Sequence, residues 1–181
     1  SRGDPAWPRR ARQRVVGLQS WIPLPAASQE SVPACQHAAA ADLPTVDDGG
    51  FTARVMAGSS FGVSSPVTMV SPWFYTEVTA REGISVPLDP DHEERAIYLV
   101  EGEIEIAQER YEAPKLLIFR PGDRISVRAI KPARMMFLGG DALDGPRNIW
   151  WNFVSSRKER IERAKEEVTS GRSALFPHGT T

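Results

Sequence analysis

Histidine, cysteine and long apolar runs are scarce in this sequence. Its 181 residues hold three histidines and one cysteine. The lone Cys35 forms no internal disulfide, and no Cys/His cluster has the spacing of a zinc site. Such cysteine usage fits a reducing compartment, and a cytoplasmic location is expected. No apolar run approaches the roughly 20 residues that span a bilayer, so no membrane partner is expected. The first residues are basic but have no apolar core, so they do not read as a secretory signal. They also lack an initiating Met, which points to a processed chain or a fragment. Neither sign of charge is in surplus: 22 Lys and Arg against 23 Asp and Glu leave a net charge of -1. Nothing in that balance steers the chain to nucleic acid.

The rest is the composition of a folded domain, with 41% hydrophobic and 25% charged residues. The length predicts one domain, or at most one and a half. Glycine and proline, 14 and 15 residues, predict many turns. Residues 1–13 read as a flexible basic arm. From Val15 to Leu24 the β-branched and aromatic content predicts a strand ending at Pro23 or Pro25. It opens a long connection over 14–50, with one short strand near Ala34–Ala38.

After Gly50 the punctuation becomes regular. Phe51–Ala57, Val67–Ser71, Phe74–Ala80 and Ile84–Leu88 are short β-rich runs between Gly, Ser and Pro. Ala96–Ala107 holds two apolar-alternating runs that meet at Glu101-Gly102-Glu103, predicting a hairpin or a sharply bulged strand. Leu116–Phe119 is closed by Arg120-Pro121-Gly122-Asp123, a turn with Pro for the fixed φ and Gly for the positive one. Ile125, Val127 and Ala129 alternate with polar residues, and Met135–Leu138 runs into a Gly139-Gly140 stop. Ser156-Arg157-Lys158-Glu159 is a capping-box pattern, and Ile161, Ala164 and Val168 give a helical stripe over 155–170. The tail, 171–181, has no pattern. About ten short strands and one terminal helix predict an all-β antiparallel sandwich or barrel. A parallel sheet would need helices between its strands.

Three segments resemble a known family. LVEGEIEI followed by LLIFRPGDRISVRAIKPARMMFLGGDAL looks like the paired motifs of a cupin jelly-roll barrel. NIWWNFVSSRKERIERAKEEV, residues 148–168, is similar to the end of pirin-family proteins. GLQSWIPLP, residues 17–25, resembles the strand that pirins carry between their two cupin modules. The resemblance implies a cupin barrel over 51–154 with the helix behind it. Pirins are bicupins whose iron lies in the N-terminal module, held by a His-x-His pair, a further His and a Glu ahead of the Gly-Leu-Gln strand. Here Gly17 stands close to the first residue and residues 1–16 contain no His. The resemblance therefore implies a C-terminal module without the metal-bearing half, with iron a cofactor of full-length relatives and none expected in this chain.

A catalytic cupin needs three N/O ligands converging inside the barrel. The first motif offers only His92 with Glu93 and Glu94, and the positions after the Pro-Gly turn hold Arg124, Ile125, Ser126 and Val127. His92 with Glu94 is the candidate metal pair, set against an exposed turn histidine. Cys35 and His37 would share a face of an extended strand, as a structural pair or as two ligands of an incomplete site. His178 falls in the tail. No catalytic or cofactor-binding residue is expected.

Trp150 and Trp151 would face opposite sides of a strand, one plugging the barrel and one covering the helix or a partner. Trp73, Phe74 and Tyr75 read as core packing, or as a stack for a planar substrate. Glu101, Glu103 and Glu105 read as a solvated polar face, or as paired acid/base carboxylates.

Three functions follow. The first is a binding or structural cupin module without a complete metal site, meeting a partner or a second copy through residues 15–24. The second is a piece of an iron-dependent quercetin dioxygenase-type pirin whose catalytic centre lies elsewhere. The third is a protein-interaction or transcription co-regulator module.

Overall fold

Period-two alternation of apolar residues builds two facing sheets. The computed structural model describes residues 17–32 and 34–170; the expected basic arm and tail lie outside the described residues, as does His178. In chain order the strands are β1 (Thr45–Asp47), β2 (Phe51–Ala57), β3 (Ser59–Ser60), β4 (Val63–Ser64), β5 (Trp73–Ala80), β6 (Ser85–Leu88) and β7 (Glu94–Glu101). There follow β8 (Glu103–Ile106), β9 (Glu109–Glu112), β10 (Lys115–Phe119), β11 (Ile125–Ala129), β12 (Ala133–Gly140), β13 (Asn148–Trp150) and β14 (Phe153–Ser155). Helix α1 (Lys158–Thr169) closes the described chain. A six-stranded sheet in the order β1-β2-β5-β12-β7-β10 faces a four-stranded one in the order β6-β11-β8-β9. Every pairing in both is antiparallel. The all-β sandwich with one C-terminal helix is the architecture that the sequence pattern predicts.

The core lies between the sheets. Val78, Ile97, Leu99, Met135 and Phe137 come from the larger sheet, and Val86, Leu88, Ile104 and Val127 from the smaller; all are essentially inaccessible. Each such side chain contributes about 1.5–3 kcal/mol on burial, so the interior of the barrel is chiefly a stabilising core.

Two glycines fix its shape. Gly102 joins β7 to β8, which belong to different sheets and do not pair with each other. The Glu101–Glu103 corner is thus the sharply bulged strand of the two alternatives, and not a hairpin. Gly102 has φ +93°, and a Cβ there would lie 2.3 Å from the Pro132 carbonyl oxygen. The expected stop at Gly139-Gly140 is instead the last rung of β12, paired on one side with β5 and on the other with β7. A Cβ on Gly139 would stand 2.5 Å from Glu94 O and 2.6 Å from a Phe74 ring carbon, so only glycine lets the three strands close up.

Four local expectations are corrected. Residues 17–25 form no strand; they run as a strap that ends in a 3-10 turn, Ala26–Ser28. Its fastenings are not ladder bonds, and Pro23 and Pro25 have no N–H to offer a neighbour. Ala34–Ala38 and Val67–Ser71 are not strands either. The Gln36 side-chain amide takes both backbone groups of Thr68, with Thr68 N to Oε1 and Nε2 to Thr68 O each 2.9 Å, where a strand would have stood. Finally, the capping box does not form. Ser156 Oγ donates to Gln29 Oε1 at 3.1 Å, and α1 begins at Lys158, because Phe153–Ser155 is still strand.

Candidate functional site

Alternation decides what faces the interior. The inward residues of β6, β8 and β11 are Val86, Leu88, Ile104, Ile106, Val127 and Ala129, all buried and apolar. Ile125, at the rim, packs against them. On the larger sheet the inward series of β5 and β7 is interrupted by two polar residues, Thr76 at 0% and Arg95 at 1% exposure.

His92 sits just before β7. Its ring stacks on Phe74 at 5.2 Å between centroids. Nδ1 lies 3.5 Å from Asp141 Oδ1, within ion-pair range but without the alignment of a hydrogen bond. Glu94, the first residue of β7, is exposed, while its neighbour Arg95 points inward. The nearest carboxylate partner of His92 is therefore Asp141, which the spacing of the sequence did not reveal. Among the described residues no three His, Cys, Asp or Glu side chains come together. The donor set of this barrel, one imidazole over an aromatic ring and one solvent-exposed aspartate, does not fit a three-ligand iron centre.

The other candidates are dispersed. Cys35 and His37 are exposed and lie in no strand, so the shared strand face expected for them does not exist. Trp150 does not plug the barrel. The β13-β14 hairpin pairs only with itself, and Trp150 stacks on Phe153 at 5.8 Å with Lys165 of α1 5.9 Å from its ring centre. Trp151 is 60% exposed at the tip of that hairpin. Phe74 is core, while Trp73 and Tyr75 lie on the outer face of β5.

The glutamates divide at the Gly102 corner. Glu103 and Glu105 share the outer face of the smaller sheet with Arg110, Arg128 and Lys131. Lys131 Nζ is 2.7 Å from Glu103. That hydrogen bond holds the Glu103 carboxyl below its ordinary range and raises the Lys131 ammonium above its own. A carboxylate so held is a poor proton acceptor, which favours the solvated polar face over acid/base chemistry.

A second constellation was not foreseen. The strap is clamped to the segments flanking the β13-β14 hairpin: Arg147 Nη2 donates to Leu24 O at 2.9 Å and pairs with Asp144, whose Oδ2 accepts Ala26 N–H at 2.9 Å. Gln29 Oε1 accepts from Ser156 N at 3.0 Å, and Glu30 pairs with Arg157 and, at 2.9 Å, with Arg160. Ser20 Oγ donates to Tyr75 Oη at 3.0 Å. Fastened in this way, the strap leaves Leu18, Trp21, Ile22 and Leu24 between 39% and 51% exposed.

The profile of the pirin C-terminal cupin domain matches residues 75–174. A pirin-like protein of Caulobacter vibrioides is 37% identical over 169 residues, which are 92% of this chain. The chain belongs to the pirin family. Pirin relatives include a protein of Pseudomonas aeruginosa named as a candidate quercetin 2,3-dioxygenase, 30% identical over 156 residues and 84% of this chain. The crystal structure of a quercetin 2,3-dioxygenase from Acinetobacter baumannii superposes with a TM-score of 0.76 at 22% identity, over 86% of this chain, which shows the shared cupin fold. The pirin chain described here spans 58% of the Caulobacter relative, 49% of the Pseudomonas one and 56% of the Acinetobacter structure. Among the described residues no helix is long and apolar enough to cross a membrane.

Proposed function

We propose that this chain is a pirin cupin module that works by binding, docking onto a second, metal-bearing cupin module, with iron held there and not here. The observation that carries this reading is the strap: polar bonds fix its course, yet four large apolar side chains stay in water. Fastened exposed apolar residues mark an interaction surface. Leu116 and Ile118 on edge strand β10, 53% and 78% exposed, extend the apolar character of the molecule's surface. The barrel interior supports the same reading, since Leu99, Ile104 and Val127 fill it and none of them can ligate a metal.

A second reading makes the chain part of an iron-dependent quercetin dioxygenase whose centre lies in that other module; the likeness to the Pseudomonas relative favours it. Both readings place iron outside this chain. Metal analysis with oxygen uptake on quercetin tests this: near-stoichiometric iron that disappears in His92→Ala overturns it. For docking, sedimentation with and without a separately expressed His-x-His cupin module is expected to show association that Leu18→Ser with Trp21→Ser weakens at least tenfold. A wild-type chain that stays monomeric and ignores that module refutes docking.

A further inference from the structure

Arg95 is the largest of the fully buried side chains, at 1% exposure. Its position on β7 is opposite Phe119 of β10 on one side and Gly139 of β12 on the other, with Phe74 of β5 across from Gly139. Nη2 donates to the Arg120 carbonyl at 3.2 Å. Nε and Nη1 are buried with no acceptor. No carboxylate among the described residues stands within ion-pair distance of the guanidinium. An arginine remains charged in proteins and can only donate. A buried charge left unpaired is among the costliest things a fold can contain.

Its surroundings share the deficit. Thr76 Oγ1 is buried and unpartnered on the inward face of β5, two residues from Phe74. His92, stacked on Phe74, has a buried Nδ1 without a hydrogen bond. Four of the five orphaned buried polar atoms among the described residues thus belong to Arg95, Thr76 and His92. Only Arg95 has donor-only atoms in this group: its Nε and Nη1 have no acceptor, whereas His92 Nδ1 has the Asp141 carboxylate 3.5 Å away.

We infer that Arg95 is the anchor of a small-molecule site that takes the carboxylate of an organic acid, with the orphaned Nε and Nη1 donating to its oxygens. This stands independently of the docking reading. A carboxylate fits better than a phosphate because one buried cation balances one negative charge, and a dianion would leave the excess in an apolar wall. Phe74 and Phe119 favour an acid with an apolar body. Arg95 reaches the Arg120 carbonyl with Nη2, and partly buried Phe119 lies beside it on β10, which places that body toward the Arg120–Asp123 turn. That turn, exposed over residues 120–124, holds the guanidinium by the Arg120 carbonyl and is the side from which such an acid would enter.

The test is thermal unfolding of the wild-type chain in sodium acetate, sodium benzoate and sodium phosphate, with ionic strength held constant by chloride. Benzoate is expected to raise the midpoint in proportion to the logarithm of its concentration, by about 5–10 °C at a hundredfold excess over Kd. Arg95→Met should lose the response, and Arg95→Lys, which keeps the charge but not the planar fork, should weaken it. The Arg95 Nε–H resonance, absent in Arg95→Lys, reads occupancy in the wild-type chain without relying on the Met variant's folding; it should shift with benzoate at one-to-one stoichiometry. No rise with either carboxylate beyond that with chloride, or an equal one in Arg95→Met, overturns the site. A response to phosphate alone overturns the ligand class.

Discussion

Arg147→Met removes the clamp on the strap while keeping most of the aliphatic stem, and its cost can be worked from the contacts. The Arg147 side chain is only 5% exposed and reaches Leu24 O through both Nη2 and Nε, at 2.9 and 3.3 Å. A hydrogen bond to a charged donor contributes about 1.5–3 kcal/mol. Leu24 is partly exposed, so its freed carbonyl regains water and the lower end applies, about 1.5–2 kcal/mol. The strap lies outside the two sheets, so the loss should be local, opening residues 18–28 about 10–30-fold more often. Native-state hydrogen exchange reads this at the amides of Ala26, bonded to Asp144, and Ser28, bonded to Pro25 O. Ile97, in the barrel core, serves as the control. Unchanged exchange at Ala26 and Ser28 would refute the clamp. Strap and core softening together would refute its separateness from the barrel.

Acid should open the same strap. Arg147 and the Ala26 N–H hold the Asp144 carboxyl below its ordinary range. A depressed folded value stabilises fully above the ordinary aspartate range, and the contribution disappears as pH falls through the folded value. The Ala26 amide resonance is expected to move with a midpoint below that of a free aspartate; a midpoint at or above it would contradict the pairing. Gly139→Ala should destabilise by about 1–3 kcal/mol or more, since the added methyl meets backbone and a fixed ring. Urea unfolding measures this, and a neutral result would show that β5, β12 and β7 approach less closely than described.

What could be read from the chain beforehand follows a physical line. β8 and β11 alternate apolar and polar residues with period two, and that pattern needs no tertiary information. The strap has no such period. Its path is set by Arg147, Asp144 and Ser156, more than a hundred residues away, and β-branched content alone suggested a strand. Val67–Ser71 misled in the same way, because one glutamine side chain bonds where a neighbouring strand would. Short β1, β9, β13 and β14 carry too few residues for a period to show. At the level of the sequence, Arg95 is masked by its charge and by the acidic loop before it. Its signal was nevertheless present: counting back by twos from Leu99 through Ile97 places it on the inner face.

The corner at Gly102 has a consequence for how this chain tolerates changes of length. Glu94 to Ile106 serves one sheet and then the other without an intervening loop, so one residue inserted at 101–103 turns Ile104 and Ile106 toward water and brings Glu103 and Glu105 inward. The Gln36–Thr68 joint lacks that rigidity, since a side chain, and not a ladder, closes it. Insertions and deletions among natural variants of this chain should therefore collect around residues 30–44 and 65–72 and be absent from 94–106.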